Sequence, residues 1–147
     1  HPEINLVSHD ELMVINNAES RYLRHICVLH NKGNSISRSL YRDNFLSTSA
    51  VSLRRSGYPD GIIKFDESLP NGQDYDLWLE ISQFVKIYHI PQALGVYEIH
   101  QSSITKRSYW RRVFSNARIC IKYRRKDPYW FPIKLLRTFI TRQWFDG

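Results

Sequence analysis

The stretch that decides the reading is Phe65-Asp66-Glu67-Ser68-Leu69-Pro70-Asn71-Gly72-Gln73-Asp74-Tyr75-Asp76-Leu77-Trp78-Leu79. A Pro-Asn-Gly turn runs into an apolar segment, so a helix is expected to begin just beyond Gly72, with Asp74 at its mouth. Trp78, Ile81 and Val85 share one stripe, widened by Leu77 and Phe84, which predicts a helix over residues 75–84 with that stripe in the core. A carboxylate held at a helix mouth can accept a proton from a group outside the protein. The competing reading makes Asp74 an N-cap only, a role worth about 1 kcal/mol.

Outward from this stretch, residues 47–53 (Ser-Thr-Ser-Ala-Val-Ser-Leu) predict a strand leaving a polar loop, and residues 55–61 a loop around Ser56-Gly57 and Pro59-Asp60-Gly61. Residues 4–7 and 12–15 read as two short strands. Residues 16–43 are polar and irregular, with an apolar island at residues 26–29 and a brief helical turn over residues 39–45. Downstream, residues 85–90 form a strand ended by Pro91, and residues 95–99 another. Beyond residue 101 the pattern turns helical, with Ser108 as N-cap and Trp110, Val113, Phe114, Ala117 and Ile121 on one apolar face. Asp127-Pro128 interrupts that helix, and a second begins near Pro132 with Leu135, Leu136, Phe139 and Ile140 on one face. The expected fold class is α+β: a small mixed sheet, a central helix after Asp74 and a helical C-terminal extension.

Composition narrows the function classes. The chain has 147 residues, 20 of them aromatic, and is 42% apolar, which fits one packed domain and excludes a disordered tract. Cys27 and Cys120 are too few and too far apart for a disulfide framework or a zinc site, so two free thiols are expected. The most apolar stretch, residues 130–145, is interrupted by Lys134, Arg137 and Arg142 and is not expected to span a bilayer, which needs about 20 apolar residues. The net charge of +7 is unevenly distributed. Residues 1–100 carry nine Lys/Arg against twelve Asp/Glu, whereas residues 101–147 carry twelve against two. Any argument about anionic partners therefore concerns the tail alone. The start at His1-Pro2-Glu3, without an initiator Met, suggests an excised piece or a processed product.

The central run, preceded by Asn44-Phe45-Leu46-Ser47-Thr48-Ser49-Ala50-Val51-Ser52-Leu53-Arg54-Arg55 and followed by Ile90-Pro91 and Tyr97-Glu98-Ile99-His100, resembles the second half of a family 2 glycosyltransferase catalytic domain. The specific part of the resemblance lies between Asn44 and His100. It implies a partial GT-A-like mixed sheet in residues 1–104, followed by a basic amphipathic helical extension in residues 105–147. It implies transfer of a sugar from a nucleotide-sugar donor to a glycan or lipid-linked acceptor, with inversion, in bacterial surface polysaccharide synthesis.

In that family the stretch usually reads Phe-Asp-Glu, a short loop, then Glu-Asp-Tyr-Asp-Leu-Trp, and the Asp after the Glu is taken as the general base. That position here is Asp74, and Gln73 replaces the usual acidic neighbour. The resemblance places Ser47, Thr48, Ser49 and Gln73 on the acceptor side. It places His100 near the donor diphosphate or metal, with Glu98 where the family commonly has Arg. Asp74-Tyr75-Asp76 also spells the family's metal-binding triplet, but this one opens a helix instead of ending a buried strand, so the match is rejected. The resemblance implies a divalent cation, Mg or Mn, in the full-length enzyme. None is expected to be held tightly by this chain, whose donor-binding half would lie upstream, and the chain alone is expected to be inactive.

Several further expectations remain. Tyr58 is a candidate for stacking on a sugar ring, Trp78 belongs to the core, and Asp66 and Glu67 cap or pair near Arg54 and Arg55. Residues 105–147 either contact a membrane peripherally or pack on the domain with a solvated basic face. The location implied is cytoplasmic, at the inner membrane face if the tail binds lipid. A half-domain leaves a sheet edge uncovered, so self-association is expected. The alternative functions are a nucleic-acid-binding module, suggested by the basic isoelectric point, and a non-catalytic assembly module. Against nucleic acid, the tail aromatics fall on apolar helix stripes.

Overall fold

The computed structural model describes residues 1–15, 19–23, 35–99 and 109–140. It is an α+β fold whose centre is strand β1 (Leu6–Ile15). Strand β4 (Ile87–Ile99) runs parallel to β1 along its whole length and takes one edge. The other edge is shared end to end by β3 (Val51–Leu53), antiparallel to Leu6–Ser8, and β2 (Glu19–Leu23), antiparallel to Glu11–Ile15. Among the described residues the result is a four-stranded mixed sheet.

Two pairs of short strands expected from the sequence are each one long strand. Nothing in Ser8-His9-Asp10-Glu11 breaks an extended chain, so residues 4–7 and 12–15 join into β1. Pro91 does not end its strand either. It lacks an N–H to donate, yet β4 has no second strand partner among the described residues, and an edge tolerates such a gap. The ladder shifts there: His9 faces Ile90, but Asp10 faces Ala93 and Glu11 faces Gly95. This bulge carries the second half of β4 past the core, where Leu94 and Val96 are exposed.

Helix α1 (Ile36–Arg42) is capped by Ser35, whose hydroxyl accepts the Arg38 N–H, and it starts earlier than the turn expected at residues 39–45. Helix α2 (Gln73–Ile81) starts where the Pro-Asn-Gly turn puts it and ends three residues short of the expected helix. Gly72 enters it with φ of 73°, a left-handed conformation natural to glycine, and there serves as the N-cap residue. The expected strand over residues 47–53 is instead a 3-10 turn (Thr48–Ala50) leading into β3. Helices α3 (Tyr109–Lys122) and α4 (Phe131–Ile140) form an antiparallel hairpin, with the Tyr109 hydroxyl donating to the Phe139 carbonyl at 2.8 Å. The helix-capping reading of Ser108 and the apolar island at residues 26–29 lie outside the described residues.

One hydrophobic cluster unites these parts. Leu6, Leu40, Tyr41, Trp78, Leu79 and Ile81 pack with Ile119, Cys120 and Tyr123 from α3 and its end. Each fully buried Leu or Ile among them stabilises the fold by about 1.5–3 kcal/mol. Trp78 is core, as expected. The helices of the C-terminal segment dock here, but only a minority of the residues on their expected apolar faces do so. Val113 and Leu135 turn inward, while Trp110, Phe114, Ile121, Leu136, Phe139 and Ile140 point to solvent. Among the described residues no helix is long and apolar enough to cross a membrane.

Candidate active site

Asp74 is the second residue of α2, not its N-cap. The carboxylate still serves the helix start, because Oδ1 accepts the N–H of Tyr75 at 2.7 Å. Its other oxygen looks away from the helix: Oδ2 accepts the Thr48 hydroxyl at 2.8 Å. A carboxylate offers about four lone-pair sites, so these two bonds fix the group and leave acceptor capacity on a partly exposed side chain.

The 3-10 turn that supplies Thr48 is tied in the opposite direction by its next residue. The Ser49 hydroxyl donates to Oε1 of Glu11 at 2.5 Å, and Ser47 lies 2.9 Å from the Ser49 oxygen. Since the Ser49 proton goes to Glu11, Ser47 is the donor in that second bond. Glu11 is fully buried on β1. It lies against Gly95 of β4, where a Cβ would come within 3.7 Å of Oε1 and 3.2 Å of the His9 ring. Ser47, Thr48, Ser49 and Asp74 are thus brought together, and Glu11 joins them. No sequence motif singled out Glu11; the signal was an unbroken strand carrying a carboxylate through its middle.

Gln73 sits at the start of α2 and turns back, its amide donating to the Leu69 carbonyl at 2.8 Å. That bond closes the Pro-Asn-Gly loop over the helix start. His100 lies outside the described residues. Asp76 is buried and gripped by Lys122, whose ammonium reaches both carboxylate oxygens at 2.9 Å. With Asp76 so committed, and no cluster of three ligating side chains among the described residues, these residues do not fit a metal ion.

Two other expectations are corrected, the stacking role of Tyr58 and the pairing of Asp66 with Arg54. Tyr58 is buried, and its hydroxyl points at Asn5, so it is no sugar platform. Burial pushes its phenol up to about 12. Asp66 faces Arg118 of α3 at 3.7 Å, and hydrogen bonds from Ser68 hold its carboxyl below the usual range. Arg54 instead donates to the Pro2 carbonyl.

A second polar group lies buried in the sheet. Ser8 Oγ is 2.9 Å from His89 Nδ1, and His89 Nε2 is 3.1 Å from Asp10 Oδ1. This has the connectivity of a hydrolase triad, but the hydroxyl that would attack is sealed, with Ser8 only 1% exposed. It serves to pair polar groups inside β1 and β4. Two grooves of about 630 Å³ each lie elsewhere: one beside Asn5, Arg54 and Lys86, the other beside Asp66, Asp76 and Lys122. Neither is lined by Asp74 or by the 47–49 turn.

The arrangement can hold a carboxylate in one orientation at the surface, flanked by hydroxyls that donate and accept. No family model matches the chain, and neither a curated protein nor a solved structure matches it.

Proposed function

We propose that this chain is the acceptor side of a GT-A-like glycosyltransferase resembling family 2, and that Asp74 is its general base. In this reading the acceptor hydroxyl approaches the exposed side of Asp74. The carboxylate takes its proton as the oxygen attacks the anomeric carbon of a nucleotide sugar, and the nucleoside diphosphate leaves from the opposite face. Thr48 and the Tyr75 N–H hold the base in place, while the oxygens of Ser47 and Ser49, whose protons are committed, accept from the acceptor's neighbouring hydroxyls.

The observation that supports this reading is the Asp74 carboxylate itself, oriented by two hydrogen bonds and partly open to solvent. A helix-capping role alone accounts for the bond to Tyr75 but not for the bond to Thr48.

The test is Asp74→Asn in the full parent protein, assayed by nucleoside diphosphate release from a panel of nucleotide sugars. A general base contributes on the order of 10²–10⁴-fold, so kcat should fall by at least about 100-fold while thermal unfolding stays close to the parent's. Activity retained within about tenfold would contradict the assignment, as would a parent that releases nucleotide from no sugar donor.

A further inference from the structure

Helices α3 and α4 each carry two apolar stripes, and only one of each meets the core. In α3 the inward stripe is Val113, Ile119, Cys120 and Tyr123. On the opposite side Trp110, Phe114 and Ile121, spaced by four and seven residues, form a stripe left in solvent, with Trp110 73% exposed. In α4 the inward face is Phe131, Lys134, Leu135 and Thr138, and Ile133, Leu136, Phe139 and Ile140 point away from it. Both helices dock on the same core by their inward faces, so the outward stripes are turned to solvent on the outside of the hairpin. Tyr129, in the connection, is 89% exposed.

Charge selects what such a face can meet. Residues 109–140 carry nine Lys/Arg and a single acid, Asp127. That acid is buried against Arg42, at 2.6 Å, and so leaves the outside of the hairpin. Arg111, Arg124 and Arg125 are exposed on the same segment, while Arg118 and Arg137 face Asp66 at 3.7 Å and Asp43 at 3.8 Å. Aromatic and aliphatic side chains rimmed by arginine match the boundary between acyl chains and anionic headgroups. The aliphatic share, Ile121, Ile133, Leu136 and Ile140, has no use for stacking on bases and argues against nucleic acid.

We infer that the outer face of the α3–α4 hairpin is a docking surface for an anionic lipid bilayer, lying in the headgroup plane without crossing it. The hairpin keeps its inward face on the core while Trp110, Phe114, Leu136 and Phe139 enter the acyl boundary. The arginines remain at headgroup level.

The experiment is vesicle co-sedimentation of the chain with phosphatidylcholine alone and with equal parts phosphatidylcholine and phosphatidylglycerol. Binding should favour the anionic vesicles and weaken with added salt. Arg111→Gln, Arg124→Gln and Arg125→Gln together should lower anionic affinity on the order of 100-fold, about fivefold for each arginine, and leave neutral affinity unchanged. Trp110→Ser, Phe114→Ser, Leu136→Ser and Phe139→Ser together should abolish binding, with the circular dichroism spectrum and melting of the parent as the control for folding. Equal binding to both vesicles, or none, would overturn the inference. So would a dimer that the serine variant dissolves while vesicle binding is absent, or tighter binding to a random single-stranded oligonucleotide than to anionic vesicles.

Discussion

Asn5 offers the sharpest test of how the sheet is held to its loops. Its amide is buried at the start of β1 and joins two segments far away in sequence. Nδ2 donates to the carbonyls of Gly57 at 3.1 Å and Phe84 at 2.8 Å, while Oδ1 accepts the Lys86 N–H at 2.7 Å. Gly57 is needed at this contact, since a Cβ there would lie 2.5 Å from the Asn5 Cβ. Asn5→Ala removes these three bonds and the longer 3.3 Å bond from the Tyr58 hydroxyl to Oδ1, and at about 1 kcal/mol for each of the three it should cost about 3 kcal/mol. That is a large part of a stability of roughly 5–15 kcal/mol. With a slope of about 2 kcal/mol per molar urea, the unfolding midpoint should fall by about 1.5 M. Asn5→Asp is the informative companion. It keeps the acceptor for Lys86 but turns an oxygen toward the two carbonyls, so at neutral pH it should cost more than Ala. That environment raises the new carboxyl above its unfolded value of about 3.9. The stability regained by protonation is then fully present below that value and lost as pH rises through the folded one. Urea titrations read by circular dichroism, with parent and variant compared at each pH, provide the measurement. A cost for the alanine below about 1 kcal/mol, or an aspartate penalty that does not change with pH, would refute the reasoning.

Two further predictions follow from the site and the core. On the role proposed for Asp74, Thr48→Val should lower kcat by about 3–10-fold, a loss of about 1 kcal/mol of positioning, with melting little changed because the bond is exposed; Thr48→Ser, which keeps the hydroxyl and loses the methyl, should retain turnover. Stability should decline on the alkaline side. Burial raises the phenols of Tyr41, Tyr75 and Tyr123, as well as Tyr58 at about 12, so their contribution is complete below the unfolded value of 10.0 and lost as pH rises through the folded values. Lys126 and Lys134, lowered by burial, work in the opposite direction in the same range, but four phenols outweigh two lysines. A thermal midpoint that stays constant between about pH 9 and pH 11.5 would count against this.

Local signals in the sequence located what local chemistry controls. The Pro-Asn-Gly turn placed the start of α2 because Gly72 must take a left-handed φ, and Trp78 fell inside because its stripe had helical period. The parts that were misread depend on distant partners. Pro91 reads as a strand end, and whether it is one depends on the strand lying at an edge. The outward stripes of α3 and α4 have the same period as the inward ones, so periodicity could not choose between them; docking of Ile119 and Cys120 against Leu6 and Tyr41 did. Tyr58 sits in a segment of turn composition, yet Asn5, 53 residues upstream, draws it inside. Glu11 stayed invisible for the same reason, since its partner Ser49 is 38 residues away.

The 47–49 turn shows how such distant pairing assembles the candidate site. In a strand, Thr48 and Ser49 would alternate across the sheet, and Ser47 and Ser49 would share a face with Val51. Hydroxyl side chains compete with ladder bonding, and here the Ser47 carbonyl accepts the Ala50 N–H at 3.1 Å, which closes a 3-10 turn. With three residues per turn, consecutive side chains stand about 120° apart. Thr48 can then reach Asp74 on α2 while Ser49 reaches Glu11 on β1. One turn therefore ties the mouth of the central helix to the central strand, and the carboxylate it holds is the one that the opening run placed at the surface. Had residues 47–53 formed the expected strand, alternation would have set Thr48 and Ser49 on opposite faces of the sheet, and only one could have faced α2. The orientation of Asp74 thus comes from the departure of this segment from strand geometry.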